Sequence, residues 1–232
     1  MKCPKKVSAI IIMLITLSLL TQPVAVFGNN IEWGVKEGDT ITWTVVIAPN
    51  TTFWWWDPVT GLVKVKVNEG DIMEYNITKI DDDTLYGDFK IGNLTVANVT
   101  TDTIGMNLVF GLWPFITGPV VKPDWQNITS KAEDCNVKTI EESNFEWYLG
   151  LPRNVITFAN ETDSGAFRLV YEKSTGVMLY GYGRFGKYEL GVEIKSTTVP
   201  LGVSEILYIV VGVPIIVIIA IVIASMFIKK KE

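Results

Sequence analysis

Residues 165–195 read GAFRLVYEKSTGVMLYGYGRFGKYELGVEIK, and the alternation in this stretch decides the fold class. Phe167, Leu169 and Tyr171 fall on one side of an extended chain, and Arg168 and Glu172 on the other. Tyr188, Leu190, Val192 and Ile194 repeat the pattern against Glu189, Glu193 and Lys195. A period of two is what a half-buried strand requires, because successive side chains point to opposite faces. Lys173-Ser174-Thr175-Gly176 suits one hairpin turn, and Gly186-Lys187 puts glycine first in a two-residue loop, as a type II′ turn wants. The stretch is expected to form a three-stranded antiparallel meander.

The same alternation recurs towards the N-terminus. Ile41, Trp43, Val45 and Ile47 oppose Thr42 and Thr44; Val63, Val65 and Val67 oppose Lys64 and Lys66. Met73, Tyr75 and Ile77 oppose Glu74, Asn76 and Thr78, and Asp81-Asp82-Asp83 reads as a hairpin tip. Further strands are expected near 84–91, 94–100, 104–111 and 154–159. Asn93 and Asn98 are an odd number of residues apart, so either a bulge lies between them or one is unmodified. From Trp113 to Leu151 the alternation fades. Pro123-Asp124-Trp125 is expected to start a helix reaching about Cys135, with Asp124 near its N-terminus, and Asn144 to Leu149 a second helical piece. The expected fold is mostly β (α+β), an antiparallel sheet with one or two inserted helices.

Both ends point to a membrane. Lys2, Lys5 and Lys6 precede the apolar run Val7 to Leu20, with Val26 and Gly28 placed for cleavage, so 1–28 is expected to be an export signal. Ile206 to Ile228 carries no charge over 23 residues. As a helix it would extend about 34 Å, enough to cross a bilayer core of about 30 Å. Lys229, Lys230 and Lys231 follow, which favours a cytoplasmic tail over 229–232. Residues 29–205 are then an extracellular domain of a single-pass cell-membrane protein.

Over 29–205 there are 14 Lys and Arg against 24 Asp and Glu, a net charge of −10. That excludes nucleic acid as an expected partner. Asn-X-Thr occurs six times, at Asn50, Asn76, Asn93, Asn98, Asn127 and Asn160, the pattern of an N-glycosylated surface protein. Cys135 is the one cysteine of 29–205, so no internal disulfide can form there. It is either a small buried hydrophobe or a handle for pairing between chains.

Two segments carry a family resemblance. Gly34-Val35-Lys36-Glu37-Gly38-Asp39-Thr40-Ile41-Thr42-Trp43 resembles the opening of a family of archaeal, especially Asgard-type, membrane-anchored surface proteins. Phe167 to Leu179, with its Tyr-x-Lys-x-Thr-Gly-Val hairpin, resembles a hairpin of the same family and of LolA-like and LppX-like lipoprotein-carrier folds. The resemblance spans about 34–195. It implies an antiparallel half-open β-barrel closed by helices over an apolar cavity that takes acyl chains. The motifs themselves fix no ligand residue.

The chain has no histidine, which removes Ser-His-Asp and Cys-His catalysis and every His-ligated metal site. Gly181-Tyr182-Gly183-Arg184-Phe185-Gly186 matches G-x-G-x-x-G but lies within the meander, where no nucleotide loop forms. Asp81 to Asp83 lacks a calcium-loop pattern. No enzyme, cofactor or metal is expected. The aromatics remain: Phe53-Trp54-Trp55-Trp56, then Trp113, Phe115, Trp125, Trp147 and Tyr148 in the irregular middle. They line an apolar pocket, form a contact surface or pack the core. Three consecutive Trp cannot all face one way in a strand, so at least one lies outside the main core. A lipid or other hydrophobic ligand, other surface proteins and the bilayer are the expected partners. The alternative is a structural or adhesive envelope protein with a filled core.

Overall fold

The computed structural model describes residues 31–49, 52–57, 61–108, 118–163, 165–204 and 207. The expected export signal 1–28, the apolar segment 206–228 apart from Leu207, the tail 229–232, and Asn50, Trp113 and Phe115 lie outside the described residues. Among the described residues, no helix is long and apolar enough to cross a membrane.

The strands are β1 Thr40–Ile47, β2 Thr52–Asp57, β3 Gly61–Lys66, β4 Ile72–Asp81, β5 Thr84–Ile91 and β6 Leu94–Thr100. Two helices follow, α1 Thr101–Asn107 and α2 Trp125–Asp134. Then come β7 Thr139–Tyr148, β8 Leu151–Thr162, β9 Gly165–Glu172, β10 Met178–Phe185 and β11 Tyr188–Thr197. Nine strands form one antiparallel sheet in the order β6-β5-β4-β1-β11-β10-β9-β8-β7, while β2 and β3 pair only with each other. The sheet is open, with β6 and β7 as its edges.

Register aligns the alternating residues into one apolar face. Val45 pairs with Val192, Trp43 with Ile194 and Met73, and Ile41 with Tyr75, which in turn faces Phe89. Leu169 lies between Phe158 and Gly181, so the β8–β10 side continues the same face. Two of the buried ring polar groups on it are paired, as low-dielectric burial favours. The Trp43 indole donates to the Met178 carbonyl at 2.7 Å, and the Tyr75 hydroxyl reaches the Leu85 and Val99 carbonyls at 3.1 Å each. Phe53, Trp55 and Val65 of the β2–β3 hairpin, Ile104 of α1, and Ile128 and Ala132 of α2 complete the core cluster.

The two motifs that carry the family resemblance meet at one end of the sheet, and their residues have structural work there. Gly176 has φ +71°, and a Cβ on it would lie 1.8 Å from the Val121 carbonyl oxygen. A Cβ on Gly34 would lie 2.2 Å from the Thr175 Cα. The buried Glu172 carboxylate accepts from Thr175 N–H at 2.8 Å, the Thr175 hydroxyl at 2.7 Å and the Ser174 hydroxyl at 2.7 Å, which fixes the turn. Asp39, also buried, accepts from Lys36 N–H at 2.9 Å and from the Thr198 hydroxyl at 3.1 Å.

The meander, the Asp82-Asp83 turn and the helix after Asp124 lie where the sequence places them. Two expectations are corrected. The strand expected over 104–111 is instead α1, ending at Asn107, with 109–111 outside the described residues. The Thr100 hydroxyl caps α1 by accepting from Thr103 N–H at 3.1 Å, and Asp102 complements the first-turn dipole. The helical piece expected over Asn144 to Leu149 is the second half of strand β7, whose register shifts between Ser143 and Glu146. A bulge does lie between Asn93 and Asn98: β5–β6 pairing shifts between Gly87 and Phe89, and Asn98 has φ 52°.

Candidate functional sites at two aromatic hairpins

The β2–β3 hairpin splits its rings between two faces. Trp55 is 0% exposed and stacks on Phe89 with ring centroids 5.4 Å apart. Phe53 meets the edge of Tyr188 at 5.7 Å. Burying a ring of this size removes about 150–250 Å² from water, worth about 4–6 kcal/mol. On the other side Trp54 and Trp56 are 60% and 56% exposed, and Leu62, paired with Trp56, is exposed as well. Exposed Met106 of α1 is close by, because the Asn107 side chain accepts from Trp56 N–H at 2.7 Å.

No strand ladder joins this hairpin to the nine-stranded sheet. Among the described residues its backbone is held by Asn107 and by Asn93, which accepts from Lys66 N–H at 3.1 Å, alongside side-chain packing. Beneath it, two buried polar atoms have no hydrogen-bond partner, the Trp55 Nε1 and the Tyr188 hydroxyl. Burial pushes the Tyr188 hydroxyl well above its ordinary pKa. Leaving a buried donor unpaired costs about 1–3 kcal/mol, so this is a place where a polar atom from elsewhere would be welcome.

The second surface is the β7–β8 tip, at the other end of the sheet from the hairpin. β1 runs from the Thr40 end to the hairpin, whereas β8 starts beside Glu172 and Lys173. Phe145, Trp147, Leu149 and Leu151 are all exposed, and Phe145 and Trp147 meet edge to face at 5.8 Å. Between this tip and the sheet runs an open groove of about 470 Å³, lined by Phe145, Trp147, Tyr148, Arg168, Tyr180 and Glu193. Burial first, then the Glu146 carboxylate, pushes the Tyr148 hydroxyl well above its ordinary value.

The other expected site residues are dispersed. Trp125 is half-buried; its indole donates to the Lys173 carbonyl at 2.7 Å and its ring tilts against Tyr171, so it closes the core rather than a pocket beneath β2–β3. Asn93, Asn98 and Asn127 are exposed, and Asn76 is half-buried, accepting from the Thr40 hydroxyl at 3.2 Å. Asn160 is 9% exposed, with its side-chain oxygen buried and unpartnered. Cys135 is free, half-buried and packed against the core cluster. No group of three potential metal ligands occurs among the described residues. Of the tip and groove residues, Trp147 and Tyr148 belong to the aromatic cluster that the sequence singles out, whereas Phe145, Leu149, Leu151, Arg168, Tyr180 and Glu193 were not foreseen. Their signal is present, since Phe145, Trp147, Leu149 and Leu151 recur at every second position.

No protein-family model matches this chain, and no curated protein matches it. A chain in the structure of the Pseudomonas aeruginosa MucA/MucB complex superimposes with a TM-score of 0.28 at 13% identity, over 74% of this chain and 55% of that one. This is a weak likeness between mostly antiparallel β-sheet domains, and it assigns no family.

Proposed function

We propose that the chain is a non-enzymatic, single-pass surface glycoprotein whose β domain binds a lipid or other hydrophobic ligand under the β2–β3 hairpin. The domain would stand outside the cell, held by 206–228, with 229–232 in the cytoplasm. The observation that carries the ligand site is the Trp55 indole, fully buried under a hairpin with no ladder to the sheet, its N–H unpartnered. A hairpin held by packing can lift without breaking strand pairing. The surface it would uncover includes Phe89 and Tyr188, apolar apart from the unpartnered Tyr188 hydroxyl. An acyl chain ending in an ester or carboxyl group matches that chemistry, with the polar end taken by the two orphan donors. In the half-open barrel implied by the sequence resemblance, the hairpin would close the mouth.

A second reading, a structural or adhesive envelope protein with a filled core, is favoured by the Trp55–Phe89 stack itself, since side chains already occupy that contact. Native mass spectrometry of the full chain, purified from a host membrane in detergent and then denatured, separates the two. Release of a stoichiometric acyl-chain species, lost in Trp55→Phe, supports the ligand site. Protein with glycan alone moves the assignment to the filled-core reading.

A further inference from the structure

The β7–β8 tip presents Phe145, Trp147, Leu149 and Leu151 to solvent, and Trp147 is 60% exposed. Exposed rings at this density on a hairpin tip signify a contact surface. The chain path indicates its occupant. After β11 the chain crosses back to this hairpin and is tied to it. Ser204 N–H donates to the Pro152 carbonyl at 2.9 Å, and the Ser204 hydroxyl donates to the Asn144 carbonyl. Upstream, the Arg153 guanidinium clamps the same segment by donating to the Leu201 and Gly202 carbonyls at 2.8 and 2.9 Å. Only Glu205 separates Ser204 from the uncharged run that starts at Ile206.

We infer that the β7–β8 tip seats in the interfacial layer of the membrane, beside the point where the chain enters it. The inference rests on the reading of 206–228 as the anchor. With Ser204 fixed to both β7 and β8 and one residue of slack, the base of the tip is within about 7 Å of the start of the apolar run by connectivity alone. Its composition suits that layer: Trp and Tyr place an apolar body and a polar edge at head-group level, and Leu149 and Leu151 reach the acyl boundary. Over 144–151 the single charge is Glu146, and no Lys or Arg is present. The partner is therefore a zwitterionic or uncharged lipid surface, engaged by burial rather than by charge, and contact is insensitive to salt. Seating holds the domain at a fixed tilt and turns the β2–β3 hairpin, at the far end of the sheet, away from the membrane.

The test reconstitutes the full chain in phosphatidylcholine vesicles with and without dibrominated phosphatidylcholine, which quenches tryptophans in contact with lipid. An alkaline carbonate wash comes first. If the wash strips the chain from the vesicles, the anchor reading fails and the seating fails with it. If the chain stays, brominated lipid is expected to quench wild-type emission. Trp147→Phe should remove most of that quenchable emission, and Trp54→Phe none of it. A retained chain whose emission ignores brominated lipid, or is quenched equally in wild type and Trp147→Phe, overturns the seating and leaves the anchor standing.

Discussion

In β2–β3 the rings alternate, Phe53 and Trp55 into the core and Trp54 and Trp56 out; in the β7–β8 tip Phe145, Trp147, Leu149 and Leu151 are all outside. The first hairpin lies over a sheet face, so one of its two sides has an apolar destination. The second begins after a register shift on an edge strand; Tyr148 of its tip packs against the core cluster, while Phe145, Trp147, Leu149 and Leu151 stay exposed. Aromatic content alone therefore does not separate a core element from a contact surface. What lies opposite each face of the strand does.

The largest effect separates the two hairpins by stability. Trp55→Ala is expected to destabilise the domain by about 3–5 kcal/mol, the usual range for emptying a buried ring site. Trp147→Ala should stay within about 0.5 kcal/mol, as exposed positions do. Denaturant melts of the two variants check this, and equal losses would erase the distinction.

An alkaline titration sharpens it. Burial raises the hydroxyl pKa of Tyr75, Tyr171 and Tyr188 above the ordinary value. The folded state keeps these protons while the unfolded chain releases them, so the stabilisation is intact below about pH 10 and falls above it. Each such group contributes up to about 1.4 kcal/mol per pH unit to that fall. The absence of histidine removes imidazole titration from the profile near neutral pH. Tyr188→Phe should lessen the alkaline loss, as followed by melting temperature against pH.

The smallest effect concerns the orphan hydroxyl. In ligand-free protein Tyr188→Phe should stabilise by about 1 kcal/mol, because it deletes a buried donor that has no partner. A loss of stability on this change would mean that the hydroxyl is satisfied in solution.

Much of this was legible in the sequence. The turn signals place the three strands from Phe167 to Ile194 correctly, although Val170 and Glu172 on the outer face of β9 are buried too, and Asp124 marks the start of α2 because its carboxylate accepts from Asn127 N–H at 3.2 Å. That three consecutive Trp must divide between faces follows from strand geometry alone. Two places misled. Residues 104–111 carry Ile104, Leu108, Val109 and Phe110, which read as a strand, and the capping of α1 by Thr100 is a hydrogen bond that composition does not display. Across Ser143 to Glu146 the extra residue in β7 breaks the period, which hides the alternation that resumes at Phe145. The candidate sites were half legible. The rings stand out in the sequence, but which of them are covered depends on strand order, and no local pattern encodes that β7 is an edge.

An open sheet exposes two rows of unpaired backbone groups, and crowding brings such rows from neighbouring copies together. Here both rims are spoiled as templates. β7 carries its register shift along with exposed Glu141 and Glu142. β6 is kinked at Asn98, in the left-handed conformation, before the chain turns into α1. Bulges and charge on an edge block strand addition. Crowded copies of this domain can touch, but they cannot zip into a continuous β-fibre.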